Sequence, residues 1–506
     1  MRHAVLIPFA GLAAFTVAAS VLYRGDSLAA PAPFPLAPTK PYGVDAPHHA
    51  SARFSATTSC AAAACHGSGN VGQPGGEQST WAATLGTKSD PHRRAYSVLF
   101  NKASTAMVRA LGSPTPAHEN ALCLKCHALD ADKHHGNEAL GDRVLSEGVS
   151  CDACHGASAK WLAVHYEAPW QSLSPREKFE HYGFKPTKNL VARTMTCVAC
   201  HVGAADREVN HDLIAAGHPR LAFESARFHF TTNYLKHWTE KTPQPSFELR
   251  AWYIGQWVNL RAAVALLESR ARRASQEIAP WPEFSEGSCY ACHHPVGQGS
   301  PKPTTGRLPG SLPWQTWNTA LVELLPQLQS RLVPEAGSPA LTALEPLRRE
   351  MTYPGRDANG RPRLAPDAKV VAELAARVTK ECDAWLARLQ EQEDRDAFRK
   401  LDTNSARTIL GLIAANALSP DRASLRDNDW DFLAQHYLGC VAAYHAAGGR
   451  TAFPTDTADA VHTLERLLQP PATSTFPELT AERLDAIRKA FQTLAAHTPF
   501  RPEHGP

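Results

Sequence analysis

Ten of the twelve cysteines in this chain form five pairs, and each pair is followed directly by a histidine. Four pairs enclose two residues and the first encloses four. Two thiols at this spacing can add to the two vinyl groups of one haem, and the adjacent imidazole can bind its iron. The sequence therefore predicts five covalently bound haem c groups. The paired cysteines and proximal histidines are Cys60, Cys65 and His66; Cys123, Cys126 and His127; Cys151, Cys154 and His155; Cys197, Cys200 and His201; and Cys289, Cys292 and His293.

Paired cysteines also form zinc sites and disulfides, but neither use explains a histidine after every pair. Zinc sites built from such pairs are typical of intracellular proteins, and a disulfide requires only the two thiols. The longer first motif must bulge to keep both thioether bonds, yet it retains the step from Cys65 to His66 and a following Gly67. We therefore expect haem attachment at all five motifs.

Each haem iron also has a sixth coordination position opposite the proximal histidine. The chain contains only four methionines, one of which is the first residue, so histidine is the more available ligand. Bis-histidine ligation is expected, and it favours lower reduction potentials than ligation by histidine and methionine. Because histidines outnumber the sites, counting does not decide whether one iron stays open. The further histidines of this region are His92, His118, His134, His135, His165, His181, His211, His218, His229, His237 and His294.

Two segments around the first three motifs carry a family resemblance. Trp81 is followed by the segment DPHRRAY at 90–96, and the third motif lies in EGVSCDACHG at 147–156, with His165 downstream. These segments resemble the cytochrome c-552/4 (cytochrome c-554-like) family, which includes tetrahaem electron carriers of nitrogen-oxidising metabolism. The resemblance covers roughly residues 55–205 and includes the order of four haem sites.

The resemblance also implies a set of distal ligands. By this likeness His165 caps the first haem, His92 the third and His181 the fourth. The second haem, bound through His127, lacks a protein ligand in the best-known member of the family. The present chain differs from that pattern in its longer first motif, its fifth motif and its large C-terminal extension.

Two more histidines are candidates for distal ligands because of their spacing. His211 and His218 are seven residues apart, so on a helix they would share a face. The Gly-His-Pro sequence at 217–219 predicts that the helix ends near His218. Either histidine is a candidate for the fifth haem, and the other then caps the second haem or binds a propionate.

The N-terminus predicts export from the cytoplasm. Arg2 and His3 precede an apolar run from Ala4 to Tyr23, and small residues follow at 27–30. This pattern is typical of a signal peptide, and the run is also near the length of an uncleaved membrane anchor. We predict a signal peptide or anchor at 1–30, a tether rich in proline and alanine at 31–58, and a periplasmic or otherwise extracytoplasmic location for the rest.

The predicted fold is mainly α. A haem-packed pentahaem domain with little regular sheet is expected at 59–300, including a long helix at 247–273, and a C-terminal helical domain at 301–506. Cys382 and Cys440 lie in this second domain without an adjacent histidine, where they remain free or form a disulfide. Its helices are predicted near 315–333, 366–393, 404–417, 428–447, 457–469 and 479–497.

Charge and motifs together favour electron transfer. Lys and Arg number 52 and Asp and Glu 49, so the chain lacks the basic excess of a nucleic-acid-binding protein. We predict that five mostly bis-histidine haems carry electrons between other redox proteins that bind transiently. The alternative is a haem enzyme that acts on nitrite, hydroxylamine or nitric oxide at one five-coordinate haem. The pentahaem nitrite reductases are similar in haem number, but they use a C-x-x-C-K motif, which this sequence lacks.

Overall fold

The computed structural model describes a large part of the chain, all of it within one compact unit. The predicted export segment and most of the predicted tether lie outside this part, as do Cys292, His134, His135, His237 and His294. The described residues are 40–42, 53–71, 73–83, 90–129, 138–231, 246–287, 289, 293, 314, 317–333, 339–352, 354–357, 359–361, 363, 365–398, 402–418, 429–468 and 479–497.

Short helices and turns make up the region of the first four motifs. Capping residues fix the ends of several of these helices. At the start of the helix Pro175–Tyr182, the side chain of Ser174 accepts a hydrogen bond from the backbone N–H of Glu177. In return, the carboxylate of Glu177 accepts one from the backbone N–H of Ser174. The α-helices are α1 (Glu77–Ala82), α2 (Lys102–Ala110), α3 (Ala121–His127), α4 (Glu138–Ser146), α5 (Cys151–His155), α6 (Ala168–Ser172), α7 (Pro175–Tyr182), α8 (Leu190–His201) and α9 (His211–Ala215). The same region contains 3-10 turns at Thr57–Cys60, Pro91–Arg94, Ser97–Phe100 and Ser158–Lys160, and a π-helical turn follows it at Arg227–Thr231.

Longer helices follow, beginning with the 29-residue helix Phe247–Ser275. They are α10 (Phe247–Ser275), α11 (Leu325–Leu332), α12 (Ala340–Thr352), α13 (Ala368–Asp394), α14 (Thr403–Leu418), α15 (Trp430–Ala446), α16 (Thr455–Leu468) and α17 (Ala481–Ala495), with 3-10 turns at Phe284–Glu286 and Gly449–Thr451. None of the described helices is both long enough and apolar enough to cross a membrane.

Helix α10 is the centre of the packing. It contacts α8 on one side and α13 and α15 on others, and it is buried on nearly every face rather than along one stripe. Gly439 allows α15 to approach closely, because a Cβ at this position would lie 2.6 Å from a ring carbon of Trp252. One apolar core therefore runs from α8 through α10 into the C-terminal helices.

The predicted mainly-α class is confirmed, since the described residues contain no β-strand and only isolated bridge residues. The predicted long helix at 247–273 matches α10 closely. The helix predicted at 315–333 begins only at Leu325. Helix α12 was not predicted, because Pro346 lies inside it and proline usually ends a helical pattern. The boundaries of the two predicted domains stay predictions.

Several residues of the predicted tether are packed into the fold, among them Tyr42, Ala56 and Thr57. Tyr42 is buried, its backbone N–H donates to Gln390 (2.8 Å), and the amide of Gln390 donates to the carbonyl of Tyr42 (2.8 Å). Its hydroxyl donates to the carboxylate of Asp394 at 2.7 Å. The chain near Tyr42 is thus fixed to the end of α13.

Candidate haem sites

A single large cavity, with a volume of about 2620 Å³, connects the first four motifs. Both cysteines and the histidine of each of these motifs line it. The volume is well above the roughly 300–1,000 Å³ that is usual for a pocket that holds one small ligand. The cavity is therefore large enough for several cofactors, and its lining holds the thiols and imidazoles that four c-type haems need.

Helices present three of these motifs in the same way. The second motif ends α3, the third forms α5 and the fourth ends α8. On a helix, residues three and four apart share a face, so both thiols and the imidazole can reach one ligand. Asparagine caps fix two of these helices: Asn120 accepts from Leu122 N–H (2.9 Å), and Asn189 accepts from Val191 N–H (3.1 Å).

The first motif folds differently, as its longer spacing requires. A 3-10 turn ends at Cys60, and the chain then turns back so that Gly67 N–H donates to the carbonyl of Ala62 at 3.0 Å. A Cβ at Gly67 would lie 2.1 Å from the carbonyl oxygen of Ala61, so only glycine fits this bulged loop.

Three proximal histidines lie next to a second histidine at similar distances. The ring centroids of His66 and His165 are 6.4 Å apart, and their planes differ by 16°. The rings of His92 and His201 are 6.0 Å apart at 85°. Those of His127 and His218 are 6.4 Å apart at 88°.

These pairs agree only in part with those that the resemblance implies. His165 lies beside the first motif, as implied. His92 lies beside His201 of the fourth motif, whereas the resemblance pairs it with the third. His218 lies beside His127 of the second motif, which is uncapped in the best-known relative. His181 is exposed on the last turn of α7.

Hydrogen bonds at Nδ1 fix the orientation of several of these rings. The Nδ1 of His127 donates to the Ala95 carbonyl (2.7 Å), that of His165 to the Leu162 carbonyl (2.8 Å), and that of His218 to the Pro219 carbonyl (2.7 Å). The Nδ1 of His92 donates to Asp90 at 2.8 Å. A carbonyl can only accept, so the proton is on Nδ1 and Nε2 is the nitrogen that can bind a metal.

The thiols of different motifs lie close together in two places. The thiols of Cys60 and Cys151 lie close enough to shift each other's pKa, and so do those of Cys126 and Cys200. The first motif thus adjoins the third, and the second adjoins the fourth. Haems attached at these thiols would be near neighbours.

Burial favours the neutral form of several cysteines and histidines in the cavity. It raises the pKa of the Cys154 thiol to about 11 and that of Cys197 to about 12. It lowers the pKa of His201 to about 4, with further lowering by His92 and His127. Burial also lowers the pKa of His92, but its hydrogen bond to Asp90 and the charges of Asp90 and Cys200 together outweigh this, so the net shift is upward. A neutral imidazole is the form that binds iron.

His211 lies next to the turn that precedes the fifth motif, and the described residues of that motif, Cys289 and His293, do not line this cavity. The backbone N–H of His211 donates to Glu283 (2.9 Å), and its ring lies 5.7 Å from that of Phe284. Both residues belong to the turn that leads to Cys289. On α10, Arg270 donates to Glu208 and to Glu286, both at 2.7 Å, and so ties the chain before His211 to this turn.

His229 is a histidine that the sequence interpretation counted but did not select. Its Nδ1 donates to the carbonyl of Ser225 at 2.6 Å, the same arrangement as in His127, His165 and His218. It lies in the π-helical turn Arg227–Thr231, a conformation that is frequent at functional sites. No spacing rule would have selected it, because the signal is the local backbone geometry.

The two cysteines without an adjacent histidine are not part of any site. Cys382 on α13 and Cys440 on α15 are both free thiols, fully buried in the apolar core. Burial raises the pKa of Cys382 to about 12. Both therefore act as small core residues in this structure.

Comparison with known proteins gives one match. Residues 59–156 match the family described as cytochrome c554 and c-prime. Neither the curated proteins nor the solved structures give a match. The matched residues include the first three motifs and the segment around His92. This part of the chain is therefore similar to the cytochrome c554 and c-prime family, which supports a c-type cytochrome with covalently bound haem c.

Proposed function

We propose that the protein is an extracytoplasmic electron carrier in which five covalently bound haems, most of them with two histidine ligands, pass electrons between redox partners. The observation that carries this proposal is the spacing of three histidine pairs around the common cavity. An imidazole nitrogen lies about 2 Å from the metal it binds, and the ring centre about 1 Å beyond, so two imidazoles on one iron have centroids about 6 Å apart. The three pairs are 6.0 to 6.4 Å apart.

This spacing supports a distal ligand for each of three haems. His165 would complete the coordination of the first haem, His218 that of the second and His92 that of the fourth. The Nδ1 hydrogen bonds support the assignment, because they hold each ring in one orientation and make Nε2 the donor atom. Carboxylate or carbonyl partners at Nδ1 also raise the basicity of the ligand, which favours ferric iron and a low potential.

For the fifth haem, His293 is the proximal ligand by its motif and His211 is the candidate on the distal side. The contact of His211 with Glu283 and Phe284, just before Cys289, supports this choice. With His218 beside the second motif, the alternative in which His218 caps the fifth haem is disfavoured.

A carrier needs haems that are close enough to exchange electrons. The thiol contacts between the first and third motifs and between the second and fourth support such neighbouring pairs. Basic residues of the cavity lining can bind the propionates and so tune the potentials. They are Lys125, Lys185, Lys188, Arg193 and Arg207.

Partner proteins are expected at the two ends of this series. Tyr166 is 71% exposed and its ring lies 5.6 Å from that of His165, so the first haem would be near the surface. Phe284, beside His211, is 59% exposed, which gives the fifth haem a similar position. We propose that other redox proteins bind there transiently, through small interfaces. The N-terminal export signal supports a periplasmic or similar location.

The alternative function, an enzyme that acts on a small nitrogen species, requires a five-coordinate iron. The resemblance places that iron at the second haem. Here His218 lies beside His127 at the distance expected for a second ligand of one iron. The geometry therefore favours the carrier over the enzyme at this haem.

Haem quantification combined with low-temperature electron paramagnetic resonance (EPR) of the oxidised protein tests the proposal. We expect five haems per chain and low-spin ferric signals from the first, second and fourth haems. A stoichiometric high-spin signal from the second haem would contradict the carrier and support the enzyme, particularly if nitrite or hydroxylamine changed it. Four haems per chain would show that the first motif does not bind haem.

A further inference from the structure

The segment that carries His218 is held in place by the C-terminal helices. Arg220 lies two residues after His218 and forms a two-pronged ion pair with Asp431 in the first turn of α15. One of its hydrogen bonds, from Nη1 to Oδ2, is 2.6 Å long. The side chains of Arg220 and Asp431 are only 16% and 4% exposed. An ion pair that is buried and bidentate has a well-defined geometry.

Two tryptophan rings lie close to the guanidinium group of Arg220. Its guanidinium lies 5.8 Å from the ring centres of both Trp317 and Trp430. These two indoles are near-parallel, with centroids 6.1 Å apart. These distances are in the range of cation–π interactions, which arginine forms more often than lysine.

A second anchor lies five residues after His218. The backbone carbonyl of Phe223 accepts from the indole N–H of Trp317 (2.9 Å) and from the side-chain amide of Asn259 on α10 (2.9 Å). The ion pair of Arg220 and the hydrogen bonds to Phe223 therefore hold the segment from His218 to Phe223 against the C-terminal core. The ring of His218 itself is fixed by the Pro219 carbonyl.

We propose that Asp431, acting through Arg220, is a positioning residue that keeps His218 on the second haem iron. The inference rests on the proposed ligation of that iron by His127 and His218. It gives the C-terminal extension a role in the haem chemistry: α15 keeps closed an iron that is open in the best-known relative. Loss of the ion pair frees the segment after Gly217, and His218 then leaves the iron for part of the time.

The test uses the full-length holoprotein and its Asp431→Asn variant, which removes one charge at nearly constant volume. We expect at least a tenfold rise in the fraction of the second haem that is high-spin when ferric and binds carbon monoxide when ferrous. Glu350→Gln is the matched control, because it breaks the ion pair with Arg363 in the C-terminal helices, away from the cavity. It should leave both signals unchanged.

Asp431 and Arg220 also act on the fifth motif, so the signal must be assigned to one haem. Burial raises the pKa of Cys289 to about 11, with a lowering effect of Arg220 and a raising effect of Asp431. A His218→Ala variant opens the second iron fully. Adding Asp431→Asn to it should produce no further carbon monoxide binding, whereas additional binding would place the effect at the fifth haem and overturn the inference.

Two outcomes separate this inference from the proposed function. If His218→Ala leaves the spectrum of the wild type unchanged, His218 is not the ligand, and the ligation itself is wrong. If His218→Ala opens the iron but Asp431→Asn does not, only the positioning role is wrong. Should Asp431→Asn fail to incorporate five haems, Arg220→Lys replaces it: this variant keeps the charge but loses the two-pronged geometry, and an unchanged spectrum would again overturn the inference.

Discussion

The region of the first four motifs and the C-terminal helices are stabilised in different ways. The C-terminal helices, together with α8 and α10, bury a continuous apolar core that includes Trp257 and Trp385. Around the motifs, the described apolar residues form only small clusters, such as Leu99 with Val108 and Ala117. The centre of that region is the cavity instead. One part of the molecule therefore folds by packing side chains, and the other by packing around its cofactors.

This difference has an energetic consequence. Protein interiors are normally packed with few voids larger than a water molecule, so a cavity of this size is stable only when it is filled. Haem attached through two thioethers and two imidazoles supplies apolar surface, cross-links and metal–ligand bonds at once. The motif region should therefore depend on haem for its fold, whereas the C-terminal helices should not.

The largest expected effect is seen when haem cannot attach. In a chain with all ten motif cysteines changed to serine, we expect backbone amides within 90–182 to exchange hydrogen on the order of 100-fold faster than in the holoprotein, because local opening there is no longer opposed by the cofactor. Amides of α14 and α15 should keep their protection and serve as the internal control. Hydrogen exchange is measured by mass spectrometry. An equal loss of protection in both regions would show that the C-terminal helices depend on haem as much as the motif region does.

A substitution in the apolar core should affect stability without affecting the haems. Trp385→Ala removes a fully buried indole whose ring centre lies 5.8 Å from that of Trp257. We expect the free energy of unfolding to fall by about 3–5 kcal/mol, while haem content and EPR signals stay the same. Denaturation followed by circular dichroism measures the loss.

Val370→Ala is the control for that substitution, because Val370 lies on the same helix but is 38% exposed. Its effect should stay within about 0.5 kcal/mol. A haem spectrum that changes in Trp385→Ala would show that the two regions are less independent than their packing indicates.

Features defined by local sequence were predictable, and features defined by tertiary distance were not. The haem motifs and the long helix α10 follow from short-range spacing and periodicity, so both could be predicted from the sequence. The contact between His92 and His201 could not be predicted, because only the folded chain brings the two rings together. The choice between His211 and His218 was open for the same reason: seven residues of separation place two rings on one face but do not say which haem lies nearby.

Tyr42 illustrates a different kind of failure. Proline and alanine around it suggested a tether, since composition reports the average behaviour of a segment. A single aromatic ring with hydrogen bonds to α13 is enough to fix the chain there. Helix α12 was missed because the local rule about proline was overridden by burial of Leu344 and Leu347 in the core.

Tyr42 also gives a smaller effect, on the attachment of the N-terminal segment to α13. Tyr42→Phe removes the hydrogen bond to Asp394, which also accepts from Asn189 at 2.8 Å. Because the acceptor is a carboxylate, we expect a loss of about 1–2 kcal/mol in the free energy of unfolding. Tyr166→Phe is the control on an exposed tyrosine and should change stability negligibly. A change in the haem EPR of Tyr42→Phe would contradict an anchoring role confined to the C-terminal helices.

The smallest effect distinguishes sites within the haem region itself. In a low-spin ferric haem, two imidazoles with parallel planes split the iron orbitals in the same direction, whereas perpendicular planes cancel each other. The planes of His66 and His165 differ by 16°, but those of the pairs at the second and fourth motifs differ by 88° and 85°. We expect one rhombic EPR spectrum with three resolved g-values from the first haem and single, strongly shifted low-field lines from the other two. His165→Met should remove the rhombic spectrum alone, and its loss in His92→Met instead would show that the pairing is wrong.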